Sequence, residues 1–266
     1  MLFRLSTSRH AEAFVLKGAM LVGTWTNIPH RATRDVDFLG LGDPNPARLV
    51  ELFSEVLQRD GGDDATTFDP DSVRAEEIRG QDRYGGVRLL AKGEFGGAVI
   101  HVQMDIGFGD AVEPAAEWID YPTLVELPAP RIRAYSIYTV VSEKLEAIVA
   151  LGMQNSRMKD FYDIWTLSRD FEFDGVVLAQ AVAATFQRRR TNIPTGTPDA
   201  LGDEFVRDPD KLRQWKAFVD RGELRDASVA MDQIVRAVEE FAMPCFKACS
   251  GKHTRPMKWP PAGPWR

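Results

Sequence analysis

The chain has 266 residues, and its 33 Lys and Arg against 39 Asp and Glu give a formal net charge of −6. That balance argues against a broad non-specific nucleic-acid coat, although a local basic cleft remains compatible with it. No apolar run is long enough to span a bilayer, and the amino terminus lacks the basic-then-apolar pattern of a secretory signal. With Cys245 and Cys249 a weak zinc pattern, we expect a cytoplasmic protein with reduced thiols and no membrane association.

Residues Met1–Ala13 read as helical or irregular, with Arg4, Arg9 and His10 exposed. Phe14–Gly18 is a short strand ending in a glycine, and Ala19–Trp25 a helix. Gly18 is either a plain tight turn or a place where backbone amides approach a phosphate at a helix amino terminus. A polar connection, Pro29–Arg34, leads to Thr33–Arg34–Asp35–Val36–Asp37–Phe38–Leu39. In a strand, period-two alternation places Asp35 and Asp37 on one face and Val36 and Phe38 on the other. Two adjacent carboxylates form either a solvated strand end or a site for a divalent cation such as Mg²⁺, which prefers hard oxygen ligands.

Asp43–Pro44–Asn45–Pro46 breaks that strand, and Ala47–Gln58 carries helical spacing. The acidic Asp60–Asp64 reads as a solvated loop. Phe68–Pro70 and Ser72–Ile78 read as a short element, and Gly86–Lys92 running out and Ala98–Phe108 running back suggest a β meander. In the last of these, Ile100, Val102, Met104 and Ile106 face the core, and His101, Gln103 and Asp105 share the opposite face. Asp105 is thus a third strand carboxylate, and Asp110 an exposed turn residue.

Pro114–Pro130 reads as an extended connection with a short strand around Leu124–Leu127. Beyond it the pattern is helical. Ile137–Val149 carries an apolar stripe with Lys144 close beside it, either snorkelling or pointing into a cleft toward an anion. Arg157–Ser168 follows, with Arg157, Lys159, Asp160 and Asp163 clustered as a solvated face of ion pairs or as part of a site. Val176–Arg189 ends in an arginine run that suits either phosphate contact or a helix carboxyl end. Thr191–Pro209 reads as a loop, Lys211–Phe218 and Ala227–Met243 as helices, and Gly251–Arg266 as a loosely wrapped Pro-rich tail. The fold class is therefore α+β. Residues 1–130 read as a mixed α/β domain, 131–250 as a helical domain and 251–266 as the tail, with a cleft expected between the two domains.

The motifs together resemble a known family. F-V-L-K-G-A-M-L at Phe14–Leu21, T-R-D-V-D-F-L at Thr33–Leu39, V-Q-M-D-I-G-F-G-D at Val102–Asp110, S-E-K-L-E-A-I at Ser142–Ile148 and N-S-R-M-K-D-F-Y-D-I-W at Asn155–Trp165 are similar to AbiEii/AbiGii-type nucleotidyltransferase toxins. These belong to the DNA polymerase beta-like nucleotidyltransferase superfamily. The resemblance implies a toxin of a toxin–antitoxin system that transfers a nucleoside monophosphate from a nucleoside triphosphate, ATP among the candidates, to an RNA acceptor, the tRNA 3′ end. It implies Asp35, Asp37 and Asp105 as ligands of Mg²⁺ or Mn²⁺, and Gly18, Ala19 and Thr33 at the triphosphate. Lys144, Arg157, Lys159, Asp160 and Asp163 carry over from the conserved lysine and the R-x-K-D-x-x-D helix. Ala19 departs from the usual Gly or Ser, so a hydroxyl ligand is lost while the backbone amides stay. The resemblance also implies a cognate antitoxin, and Thr33 holds the position that one such antitoxin phosphorylates. Two alternatives remain: the same chemistry on a protein hydroxyl or small molecule, and a non-catalytic nucleotide- or antitoxin-binding module.

Overall fold

The computed structural model describes residues 1–26, 33, 35–62, 64–78, 85–123, 126–222, 224, 226, 228–249 and 257–266. The expected connection over Pro29–Arg34 lies, apart from Thr33, outside them. The chain divides into two compact units: one of Met1–Asn27, Thr33–Asp110 and Ala116–Tyr135, the other built on Ala111–Ala115 and Ser136–Arg266.

The first unit is a seven-stranded mixed sheet. Its strands are β1 (Phe14–Lys17), β2 (Asp35–Gly40), β3 (Thr66–Ile78), β4 (Gly86–Phe95), β5 (Ala98–Phe108), β6 (Glu117–Asp120) and β7 (Arg131–Ala134), in the order β3-β4-β5-β2-β1-β7-β6. The β4-β5 hairpin expected from the glycine punctuation is antiparallel, and β3, expected only as a short element over Ser72–Ile78, is a 13-residue strand that extends it to an antiparallel meander. β5 then runs parallel to β2, and β2 antiparallel to β1. Three helices accompany the sheet: α1 (Leu2–Ser6), α2 (Gly18–Trp25) and α3 (Pro46–Gln58). Asn45 caps α3 by accepting from the Ala47 and Arg48 amides, and Pro46 sits in the first turn where its missing N–H costs nothing. The apolar stripe of α3, Leu49, Phe53, Val56 and Leu57, is buried. Phe53 meets Phe14 edge-on at 5.1 Å, and Phe14 meets Phe38 at 5.8 Å. The Phe38 face of the sheet is therefore core, which leaves the opposite face to the polar side chains.

Several expectations in this unit fail, among them the exposure of His10, which is half-buried 3.3 Å from Glu55. Arg4 is buried, because its guanidinium closes the loop after α3 by donating to Arg59 O at 2.9 Å and Thr66 O at 2.7 Å and pairing with Asp64. Asp64 is thus a partner rather than a solvated loop residue. Glu126 and Leu127 are in bends, with Leu124 and Val125 outside the described residues. The strands of this stretch are instead β6 and β7, each four residues long and too short to show a period.

The second unit is helical: α4 (Ile137–Leu151), α5 (Met158–Asp170), α6 (Gly175–Arg189), α7 (Asp203–Arg207), α8 (Pro209–Arg221) and α9 (Met231–Cys249). Ser136 caps α4, Asp174 caps α6 and Asp208 caps α8. Gly152, at φ 49°, ends α4 in a positive-φ conformation that glycine adopts without strain. The stretch expected as a loop before Pro209 contains α7 and a 3-10 turn at Asp199–Leu201, whose Ala200, Leu201 and Phe205 are buried. From Met257 on, the tail is not loose. β9 (Lys258–Trp259) pairs with β8 (Phe173–Asp174), and Trp259 donates its indole N–H to Ser168 O at 2.6 Å. Trp265 stacks on Phe241 at 5.7 Å. Two large aromatic rings in a polar tail are anchors, since the apolar surface they bury offsets part of the entropy lost in ordering it.

Candidate active site

Strand register assembles the acidic pair. β2 runs beside β5 with Asp37 directly opposite Asp105 and Asp35 opposite Gln103. Neighbouring register partners project to the same side of a sheet. Asp35, Asp37 and Asp105 therefore share one face, while Val36, Phe38, Met104 and Ile106 occupy the core face and are buried. Across β1, Lys17 is the register partner of Asp37; across β4, Arg88 is the partner of Asp105; and on β3, Glu76 is the partner of Arg88. One line across five strands thus reads Glu76, Arg88, Asp105, Asp37, Lys17.

Lys17 and Arg88 were not singled out in the sequence. The available signal was a lone charge in each of two otherwise apolar stretches. Arg88 grips Asp105 with a two-pronged fork, Nε to Oδ1 at 2.8 Å and Nη2 to Oδ2 at 2.7 Å. The hydrogen bonds to Asp105, and then the negative charges of Asp105, Asp35 and Glu76, hold Arg88 above its ordinary value despite partial burial. Lys17 reaches Asp110 Oδ2 at 2.7 Å, with side chains 16% and 11% exposed. Asp110 is therefore a shielded ion-pair partner and not the exposed turn residue expected, because the turn after β5 returns it to the end of β1.

Gly18 lies beside this line. It opens α2 at φ +74°, and a Cβ built there would sit 1.9 Å from Asp37 Oδ2. Only a glycine allows both that backbone conformation and that approach. The Asp37 carboxylate therefore lies against the start of α2, a helix end without a side-chain cap, where backbone amides and the helix dipole favour negative charge. Thr33 is exposed, its hydroxyl 3.4 Å from Asp35 O. Among the described residues, no three His, Cys, Asp or Glu side chains form a ready metal cluster. The donor set nevertheless suits a hard divalent cation in kind and register, since three carboxylates share one face. The Arg88 guanidinium stands where positive charge is called for, on both oxygens of Asp105. A cavity of about 380 Å³ in the same unit opens elsewhere, between α3 and the strand ends at Phe14, Gly40 and Phe108, and none of the residues singled out lines it.

The remaining predicted residues form a second cluster in the helical unit. Lys144 of α4 reaches Asp160 Oδ1 at 2.8 Å and Asp163 Oδ2 at 2.7 Å, both on α5. Arg157 Nε lies 2.7 Å from Asp160 Oδ2, an ion pair outside hydrogen-bond alignment. Asp160 and Asp163 are fully buried, so the solvated-face reading of this helix fails. Burial alone would lower the Lys144 ammonium, but Asp160 and Asp163 outweigh it and hold it above the ordinary lysine value. Burial likewise pushes Asp160 up, and Lys144 and Arg157 bring it below the ordinary aspartate value. Lys159 is exposed on the outer side of α5. In the arginine run, Arg189 is committed to Glu143 at 3.3 Å and Glu146 at 2.9 Å.

A family model, Nucleotidyl transferase AbiEii toxin, Type IV TA system, matches residues 1–241. The chain belongs to this family. Two Helicobacter pylori structures share the fold. JHP933 is 13% identical, with 94% of this chain and 89% of that chain covered and a TM-score of 0.52. A second protein, solved as a candidate nucleotidyltransferase, is 14% identical, with 96% and 93% covered and a TM-score of 0.53. No curated protein matches. The mixed sheet followed by helices is the polymerase-beta-like nucleotidyltransferase arrangement of the AbiEii toxins. Among the described residues no helix is long and apolar enough to cross a membrane.

Proposed function

We propose that this AbiEii-family toxin transfers a nucleoside monophosphate from a nucleoside triphosphate to an RNA acceptor, the 3′ end of tRNA, and so blocks translation. The observation that carries the reading is the register of Asp37 against Asp105, with Asp35 on the same face and Gly18 pressed against Asp37. Asp35, Asp37 and Asp105 would hold Mg²⁺ or Mn²⁺, which when bound supplies Lewis-acid activation of the triphosphate. The α2 amino terminus at Gly18 and Ala19, with Thr33 nearby in sequence, binds phosphate oxygens. Asp105 takes the proton from the acceptor hydroxyl. That oxygen forms a new bond to the α-phosphorus, and pyrophosphate leaves.

In the helical unit, Asp160 and Asp163 use two of the three N–H donors of Lys144. Arg157, tied to Asp160, adds positive charge to this cluster, and Lys159 stays on the outer side of α5. A cognate antitoxin would counter the toxin, and Thr33, an exposed hydroxyl two residues before Asp35, is a position it would modify.

Incubating the protein with total RNA, Mg²⁺ and each α-labelled nucleoside triphosphate tests the reading. Label at tRNA size is expected, and the labelled nucleotide identifies the base. Label on protein or on a small molecule would move the acceptor to that class. Release of no pyrophosphate from any nucleotide would overturn the transfer reaction itself.

A further inference from the structure

The carboxylate face carries its own cation. Asp105 has both oxygens engaged by Arg88, at 2.8 and 2.7 Å, and the Gln103 amide lies 3.4 Å from Oδ1. A two-pronged guanidinium fork is the strongest side-chain partner a carboxylate finds within a protein. A divalent ion that needs Asp105 must first displace it. Arg88 is free to be displaced: its side chain is 36% exposed, against 18% for Asp105, and it stands on a strand whose next polar neighbour in line is exposed Glu76. A guanidinium released from a carboxylate re-pairs well with phosphate, whose oxygens offer the same fork geometry.

We propose that Arg88 is a positioning residue that latches Asp105 and closes the carboxylate face to free divalent ions, so that the ion enters only together with a nucleoside triphosphate, whose phosphates take over the guanidinium. The inference rests on the metal-site reading above. It explains why three carboxylates on one face do not stand as a preformed cluster. It also places the energetic threshold for metal entry at the nucleotide rather than at the ion.

The test is Mn²⁺ binding to nucleotide-free protein, measured by electron paramagnetic resonance of free Mn²⁺. Arg88→Gln is expected to bind Mn²⁺ about tenfold more tightly than the wild type. Arg88→Lys, which keeps the charge without the fork, is expected to fall between them. Adding Asp105→Asn to Arg88→Gln is expected to remove the gain. In the wild type, a non-hydrolysable nucleoside triphosphate is expected to tighten Mn²⁺ binding, and to do so much less in Arg88→Gln. Equal nucleotide-free affinity in wild type and Arg88→Gln, with both binding through Asp105, would overturn the latch and leave the metal site standing. Mn²⁺ binding that is indifferent to Asp105→Asn, with nucleotide present, would overturn the metal site and the latch with it. If Arg88→Gln does not fold, the wild type decides by itself through the Arg88 Nε–H resonance. That signal should move when Mn²⁺-free Mg²⁺ and nucleotide are added together, and a full shift with Mg²⁺ alone would overturn the latch.

Discussion

Gly18 and Asp37 are far apart in the chain and inseparable in space. A methyl group on Gly18 would strike the Asp37 carboxylate, and its positive φ adds backbone strain of about 1–3 kcal/mol for any other residue. Gly18→Ala should therefore lower the urea midpoint by an amount equivalent to about that energy. It should also reduce nucleotidyl transfer at least tenfold by displacing Asp37. The two readouts separate the effects, since strain alone would move stability and leave the activity of the folded fraction intact. Arg4 teaches the complementary lesson. As a lone basic residue near the amino terminus it looked solvated, yet its guanidinium satisfies two carbonyls and a carboxylate.

Helices α4 and α5 are joined through charge rather than by apolar contact alone. Lys144 is the counter-ion of two fully buried aspartates, and removing one member of such a set typically costs about 3–5 kcal/mol. Lys144→Met should destabilise the protein by an amount in that range in urea unfolding, and Asp160→Asn by less. The pH dependence follows from the shift of Asp160. Its folded-state value is lowered, so its contribution is present above the ordinary value of 3.8 and is lost as pH falls through the lower folded value. Lys144, held above 10.5, contributes at neutral pH and loses that contribution only as strongly alkaline pH passes its raised value. Stability should thus stay flat with respect to this pair through neutrality and fall in acid, with a shallower acid slope in Asp160→Asn. Equal acid slopes would refute the assignment. Helices of this unit were legible because their apolar stripes repeat every turn. The four-residue strands β6 and β7, and α7, were not, because they are shorter than the window over which a period can be recognised.

For the protein as a whole, the transfer proposed above rests on the carboxylate face of the sheet, and a single substitution separates fold from function. Asp35 is half-buried on the polar face, away from the core of Phe38 and Phe53. Asp35→Ala should abolish labelling of RNA and toxicity while leaving the far-ultraviolet circular dichroism and the urea midpoint within about 0.5 kcal/mol of the wild type. A protein that kept full transfer after this change would refute the carboxylate mechanism. The negative net charge is no obstacle to an RNA acceptor, since affinity for phosphate depends on the local arrangement of basic side chains and not on their sum.

The amino-acid sequence by itself determined the α+β class, the long helices, the common face of Asp35 and Asp37, and the face shared by Gln103 and Asp105. Each of these follows from a period of two or of 3.6, or from a local turn residue, and both are written within a dozen positions. Only the tertiary structure decided which residues meet across the sheet and between helices. It set Asp37 opposite Asp105, put Arg88 on Asp105 and Lys17 on Asp110, buried Lys144 between Asp160 and Asp163, and pinned the tail by Trp259. The physical reason is that register and ion pairing over long sequence separations depend on the sum of many packing contacts, and no local pattern encodes that sum.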